Sequence, residues 1–158
     1  MIPGARLEGA RIAQFALAGN ATLTLRSAAT GARFTYKIRL APKQDEDTPP
    51  ERRTWFVKLL CGSDNTSDYR YIGFIRDGRF IHGAGRSYAS SEAPSVIAFG
   101  WFVRTIVYGQ KANEKLEAWH EGCCGRCGRK LTVPESIESG MGPECAGKLG
   151  GARYALAG

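Results

Sequence analysis

The stretch RFTYKIRL, residues 33–40, alternates polar and apolar side chains without interruption. A period of two residues is typical of a strand with one buried face and one exposed face. The buried face is predicted to carry the apolar set, namely Phe34, Tyr36, Ile38 and Leu40. The exposed face is predicted to carry Arg33, Thr35, Lys37 and Arg39. This stretch therefore predicts a sheet whose inner face is apolar and whose outer face is cationic.

The segments on either side of this strand also have strand character. ATLTLRS at residues 21–27 precedes it across a short Gly-containing link, which predicts a hairpin. RTWFVKLLCG at 53–62 follows a Pro-rich, acidic loop, and DYRYIGFIRDGRFIHG at 68–83 contains Asp77-Gly78, a strong two-residue turn signal. Together these segments predict an antiparallel meander of about five strands.

Two segments have helical spacing. EGARIAQFALAGN at 8–20 predicts a short N-terminal helix that ends near a glycine. APSVIAFGWFVRTIVYG at 93–109 has a proline suited to a first helical turn and a terminal glycine. We expect this apolar helix to lie mostly buried across the sheet, although its β-branched residues leave a strand as the alternative. No apolar run approaches about 18 residues, so no membrane span is expected.

The stretch WHEGCCGRCGR at 119–129 holds three of the five cysteines. Zinc is commonly bound by cysteine pairs two residues apart on a tight turn, and Cys124 and Cys127 have this spacing. Cys145 lies near the start of a predicted short helix, where a thiolate is stabilised. His120 is our candidate for the fourth ligand. Cys123 is the main competitor, and Cys61 and His82 are the remaining alternatives. The sequence thus predicts one structural zinc ion.

An enzymatic role is the third hypothesis rather than the first. A catalytic zinc keeps one coordination position open, and only three cysteines have convincing placement. However, the deaminase signature requires His-x-Glu followed by Pro-Cys-x-x-Cys, whereas His120 and Glu121 are adjacent here. No nucleophile–base pair or pair of carboxylates stands out elsewhere. We therefore expect no catalytic residues.

The segment CGRCGRKLTVPESIESGMGPEC at 124–145 resembles a small zinc-binding module of uncharacterised phage and prophage proteins. The stretches AGNATLTL, TGARFTYKIR, DNTSDYRYIGFI and APSVIAFGWF extend the resemblance over residues 15–147. The resemblance implies a phage origin, a location in the host cytoplasm, and a zinc site that uses Cys124, Cys127 and Cys145. Cys123 departs from the family's pattern, which favours a spectator role for it. The resemblance implies no particular activity.

The net charge of +7 is unevenly distributed, because residues 1–43 contribute six of these charges. Such a basic balance favours polyanionic partners. The residues predicted to contact phosphates are Arg26, Arg33, Lys37 and Arg39 on the strands, with Arg126, Arg129 and Lys130 on the cysteine turn. Tyr69, Tyr71, Phe74 and Trp55 would stack on bases if exposed, the alternative being a place in the core.

The sequence therefore predicts an α+β fold in which one apolar helix packs on the antiparallel sheet. Residues 1–110 are predicted to form this domain, residues 111–150 a treble-clef or zinc-ribbon-like module, and residues 151–158 a tail. The leading functional hypothesis is a non-enzymatic, zinc-binding accessory protein that binds nucleic acid. The alternative is a protein-interaction module that inhibits a host defence or replication enzyme, with the apolar helix as its surface.

Overall fold

The computed structural model describes residues 6–45, 47–63, 67–109, 116–128, 131, 137 and 139–142. Its main element is an antiparallel sheet of seven strands, ordered β1-β7-β2-β3-β4-β5-β6. The strands are β1 (Arg6–Leu7), β2 (Asn20–Ser27), β3 (Arg33–Leu40), β4 (Thr54–Leu60), β5 (Tyr69–Arg76), β6 (Arg79–His82) and β7 (Leu116–His120). The helices are α1 (Ala10–Ala16) and α2 (Pro94–Phe102), and α2 continues through a π-helical turn, Val103–Val107. The α+β class is confirmed, but the predicted number of about five strands was too low.

The alternation in β3 does set the two faces of the sheet. Tyr36 and Ile38 are fully buried, and Phe34 and Leu40 pack against the same core. The turn between β5 and β6 is the predicted one, since Asp77 and Gly78 both have positive φ values, 51° and 77°. This combination matches the right-handed twist of the flanking strands.

Both helices pack on the apolar face of the sheet. On α2 the rings of Phe99 and Tyr36 lie 4.6 Å apart, and the Tyr36 hydroxyl donates a 2.6 Å hydrogen bond to the Ser95 carbonyl. The prediction that the apolar helix is mostly buried is confirmed, because Val96, Phe99, Phe102, Val103, Ile106 and Val107 are all in the core. The helix therefore leaves little apolar surface exposed for the partner protein of the alternative hypothesis. That surface consists chiefly of Ile97 and Tyr108.

The strand β7 connects the two predicted units of the chain. It lies directly before the cysteine turn and inside the sheet, between β1 and β2. Trp119 pairs with Arg6 on one side and with Thr24 on the other. The strand that enters the cysteine turn is therefore held between two strands from the N-terminal part of the chain. None of the described helices is long and apolar enough to cross a membrane.

Candidate functional site

The face of the sheet opposite the helices, here called the open face, carries an aromatic cluster. Its members are Phe56 on β4 with Tyr71 and Phe74 on β5. Phe56 pairs directly with Phe74 across the strands, and its ring centroid lies 6.3 Å from that of Tyr71. Phe56 is 39% exposed, and Ile81 on β6, which pairs with Phe74, is 40% exposed. Phe56 and Ile81 are thus two large apolar side chains left exposed on the same face of the sheet.

Cationic side chains surround the aromatic cluster. Lys58 pairs with Lys37 and with Tyr71, Arg39 pairs with Phe56, and Arg76 pairs with Arg79. Two cations lie over rings, with the Lys37 Nζ 4.3 Å from the centre of Tyr69 and the Arg76 guanidinium 5.4 Å from that of Phe74. The five strands β2 to β6 contain no acidic residue. This part of the open face is therefore strongly positive.

Two acidic side chains, Glu117 and Glu121, lie at the β7 side of the open face, where both have hydrogen-bond partners. The Glu117 carboxylate accepts a 3.1 Å charged hydrogen bond from Arg26 and another, also 3.1 Å, from the indole N–H of Trp119. These two donors hold the pKa of Glu117 below its ordinary value, and the Trp119 indole has the larger effect. Glu121 accepts a 2.6 Å hydrogen bond from the Thr24 hydroxyl. Arg26 is thus neutralised in part, while the excess of positive charge lies on the strands from β3 to β6.

The structure brings together only some of the residues predicted to contact nucleic acid. Arg26, Arg33, Lys37 and Arg39 all lie on the open face, with Arg33 and Arg39 exposed. Arg126 instead lines a cleft of about 1120 Å³ beside α1 and the acidic loop that follows β3. Arg129 and Lys130 lie outside the described residues. The four strand cations therefore form one surface to which Arg126 does not contribute.

For Trp55, one of the four aromatic residues considered for base stacking, the structure supports the alternative of a place in the core. Trp55 is 5% exposed, and its indole N–H donates a 3.1 Å hydrogen bond to the Leu17 carbonyl on the helix side. Phe56 takes its place on the open face, together with Lys58, which the prediction did not include. The sequence of β4 does contain the signal for this arrangement. The apolar residues Val57 and Leu59 face the core, so the alternating residues Phe56 and Lys58 face the opposite side.

The cysteine turn is closed by main-chain hydrogen bonds. The Cys124 carbonyl accepts a 2.8 Å bond from the Gly128 N–H, and the Cys124 Sγ accepts a 3.4 Å bond from the Arg126 N–H. Cys124 is buried, Cys127 is exposed and Cys123 is half-buried. An N–H directed at a sulfur favours the thiolate, which is the form that binds metal. The chemistry of this turn therefore suits zinc.

The turn is also attached to the sheet and to the residues beyond it. Gly125 accepts a 2.7 Å hydrogen bond from the Asn20 N–H at the start of β2 and donates a 2.9 Å bond to the Gly140 carbonyl. A Cβ on Gly125 would lie 2.6 Å from the Phe15 ring on α1. The turn therefore has a fixed position, with α1 on one side.

His120 is held by the main chain at both ring nitrogens. Its Nδ1 accepts a 2.9 Å hydrogen bond from the Gly122 N–H, and its Nε2 donates a short hydrogen bond to the Ile137 carbonyl. The side chain is 2% exposed and lies against Phe15. Burial lowers the pKa of His120, and the Ile137 bond and Glu121 oppose this effect. The ring is therefore neutral, and a ligand role requires that a metal replace one of these two partners.

The predicted zinc ligands are only partly within the described residues. Among those residues no three His, Cys, Asp or Glu side chains come together as a metal-binding group. Cys145 lies outside them, so the predicted set is not described in full. The two remaining alternative ligands, Cys61 and His82, lie away from the cysteine turn. Cys61 follows β4, and its thiol donates a hydrogen bond to the Asp68 carbonyl. His82 lies on the edge strand β6.

Comparison with known proteins identifies the segment that contains the turn. Residues 115–150 match a family of unknown function, DUF6011. The match covers β7, the cysteine turn and the segment through Cys145, which is under a quarter of the chain. It is consistent with the resemblance to an uncharacterised family. Neither the curated proteins nor the solved structures give a match.

Proposed function

We propose that this protein is a non-enzymatic accessory protein that binds nucleic acid through the open face of its sheet. The observation that carries the proposal is the combination on one face of positive charge with an exposed ring, Phe56, and two half-buried rings, Tyr71 and Phe74. Lysine and arginine side chains bind phosphates, and aromatic rings bind bases. The exposed cations Arg39, Lys58 and Arg79 make no ion pair with any described residue. A phosphate would therefore meet them without displacing a carboxylate.

The test is a titration of a labelled oligonucleotide at several salt concentrations. The logarithm of the binding constant should fall linearly with the logarithm of salt concentration. Replacing Arg39 with Gln should weaken binding at low salt and reduce this slope by about 0.7 to 0.9. The matched control is Arg104→Gln, because Arg104 is an exposed arginine on the helix side of the sheet. Absence of binding at low salt would refute the proposal and favour a protein partner.

We further propose that the cysteine turn holds one structural zinc ion, with Cys124, Cys127 and Cys145 as ligands. Support comes from the spacing of the cysteines, the N–H directed at the Cys124 sulfur and the burial of that residue. The ion would join the turn to the segment near Cys145 and so hold the end of β7 in place. His120 and Cys123 remain the candidates for a fourth ligand.

Metal analysis of the purified protein tests this second proposal. One zinc per chain is expected, and Cys124→Ser should abolish it. Cys61→Ser is the matched control, because Cys61 lies after β4 and should leave the zinc content unchanged. Zinc-free protein with unchanged thermal stability would contradict a structural role for the metal.

A phage origin and a location in the host cytoplasm are proposals that rest on the resemblance of the segment at 124–145. Expression during infection, followed by cell fractionation, would test both.

A further inference from the structure

We infer that the nucleic acid bound by the open face is single-stranded and that its unpaired bases stack on Phe56, Tyr71 and Phe74. This inference rests on the proposed function and names the class of ligand for the same surface. It starts from the shape of the face. Six strand spacings of about 4.8 Å make the sheet about 29 Å wide, whereas the major groove of a duplex is about 12 Å wide. The face as a whole is therefore too wide to enter the major groove and reach the edges of paired bases there.

The aromatic cluster gives the second step of the inference. In a duplex both faces of each base are covered by the neighbouring bases, so a protein ring finds no base surface to stack on. In a single strand the bases are free to stack on aromatic side chains, and most sequence readers of RNA use this property. Because Phe56 pairs across the strands with Phe74 and its ring lies 6.3 Å from that of Tyr71, adjacent bases have neighbouring rings to contact.

The position of the cations gives the third step. Lys58 and Arg39 lie next to the cluster on β4 and β3, and Arg76 and Arg79 lie across the end of β5 and β6. Positive charge is thus present on two sides of the rings, so that a strand crossing them keeps its phosphates near cations. An acidic protein would also be attracted to these charges, but it would not require bases, and the experiment separates the two ligands.

The experiment compares four 12-residue oligonucleotides by fluorescence anisotropy at one salt concentration. They are a single-stranded DNA, a single-stranded RNA, the corresponding DNA duplex, and a DNA strand with the same phosphates in which all sites are abasic. Stacking of two bases should make an intact single strand bind about 30-fold more tightly than the abasic strand. The duplex should also bind more weakly than the single strand.

Variants of the cluster supply the second readout. Phe56→Leu combined with Phe74→Leu should lower the affinity for the intact strand at least tenfold and leave the affinity for the abasic strand unchanged. Tyr108→Leu is the matched control, because Tyr108 is 40% exposed on the helix side. If the double variant does not fold, Phe56→Leu alone serves, and the comparison of oligonucleotides uses the unaltered protein in any case.

Each alternative result has a distinct meaning. Equal affinity for intact and abasic strands, or for single strand and duplex, would overturn the inference while leaving nucleic-acid binding intact. No binding to any of the four oligonucleotides at low salt would refute the proposed function itself. A dimer that dissociates when Phe56 and Phe74 are replaced would assign the face to a second copy of the chain and overturn the inference.

Discussion

Replacing His120 with Ala should destabilise the protein strongly, whether or not a metal is bound. The imidazole joins the Gly122 N–H at the end of β7 to the Ile137 carbonyl beyond the cysteine turn. Alanine leaves both main-chain groups without this partner, next to the space that the ring, 2% exposed, now fills. A buried polar group that loses its partner costs about 1–3 kcal/mol, so the two together cost about 2–6 kcal/mol. The lost contact with Phe15 adds to this cost.

The assay is thermal and urea unfolding of the variant, measured once with excess zinc and once with a chelator. For a chain of this size about 4 kcal/mol corresponds to a fall in Tm of about 8–16 °C. A residue that acts through its main-chain hydrogen bonds should give the same loss of stability in both conditions. A metal ligand should give a loss that largely disappears in the chelator.

His82 provides a matched control because it makes the same pair of hydrogen bonds. Its Nδ1 accepts a 3.1 Å bond from the Ala84 N–H, and its Nε2 lies 2.7 Å from the Ala89 carbonyl. His82 is half-buried on the edge strand, so after its removal water can hydrogen-bond to the Ala84 N–H and the Ala89 carbonyl. We expect His82→Ala to cost about 0.5–1.5 kcal/mol. Equal costs for the two histidines, or a cost below about 1 kcal/mol at His120, would refute this reasoning.

Three further predictions follow from the same structure. Burial lowers the pKa of His120, so just below the ordinary value of 6.5 the unfolded chain binds more protons than the folded one. The Tm should therefore fall as the pH drops through 6.5. His120→Gln should flatten this part of the profile of Tm against pH, measured by circular dichroism. Gly73→Ala should cost about 1–3 kcal/mol in urea unfolding because a Cβ there would lie 2.3 Å from the Ile81 carbonyl, whereas Gly85→Ala, which meets no atom within 4 Å, should be nearly neutral. Glu117→Gln should tighten oligonucleotide binding by a few fold, because it releases Arg26 for a phosphate; unchanged or weaker binding would place Arg26 outside the contact surface.

Much of the sheet was predictable because its signals are local. The alternation of β3 and the Asp77-Gly78 turn each depend on a few neighbouring residues, and both predictions are confirmed. The strand β1 was missed because two residues, Arg6 and Leu7, carry no periodicity. Its existence depends on pairing with β7, and a pairing between such distant residues leaves no local signal.

The candidate site was predictable in part for a similar reason. The cations of β3 follow from its alternation, but which aromatic residues share their face depends on the phase of two other strands. The register between β4 and β5 shifts at Val57 and Lys58, so the faces of β5 do not follow from simple alternation. The hydrogen bond from His120 to the Ile137 carbonyl joins residues that are 17 positions apart, and no spacing rule indicates it.

The place of β7 also has a consequence for how the chain is made. During synthesis β2, β3, β4, β5 and β6 emerge in order and each pairs with the strand before it, but one edge of β2 stays open until β7 emerges. An open edge offers its hydrogen bonds to any other strand. A nascent chain or a fragment that ends before residue 116 is therefore expected to aggregate through β2. The arrival of β7 closes that edge and gives β1 its partner, so β1 joins the sheet after the strands β2 to β6 that follow it in the chain.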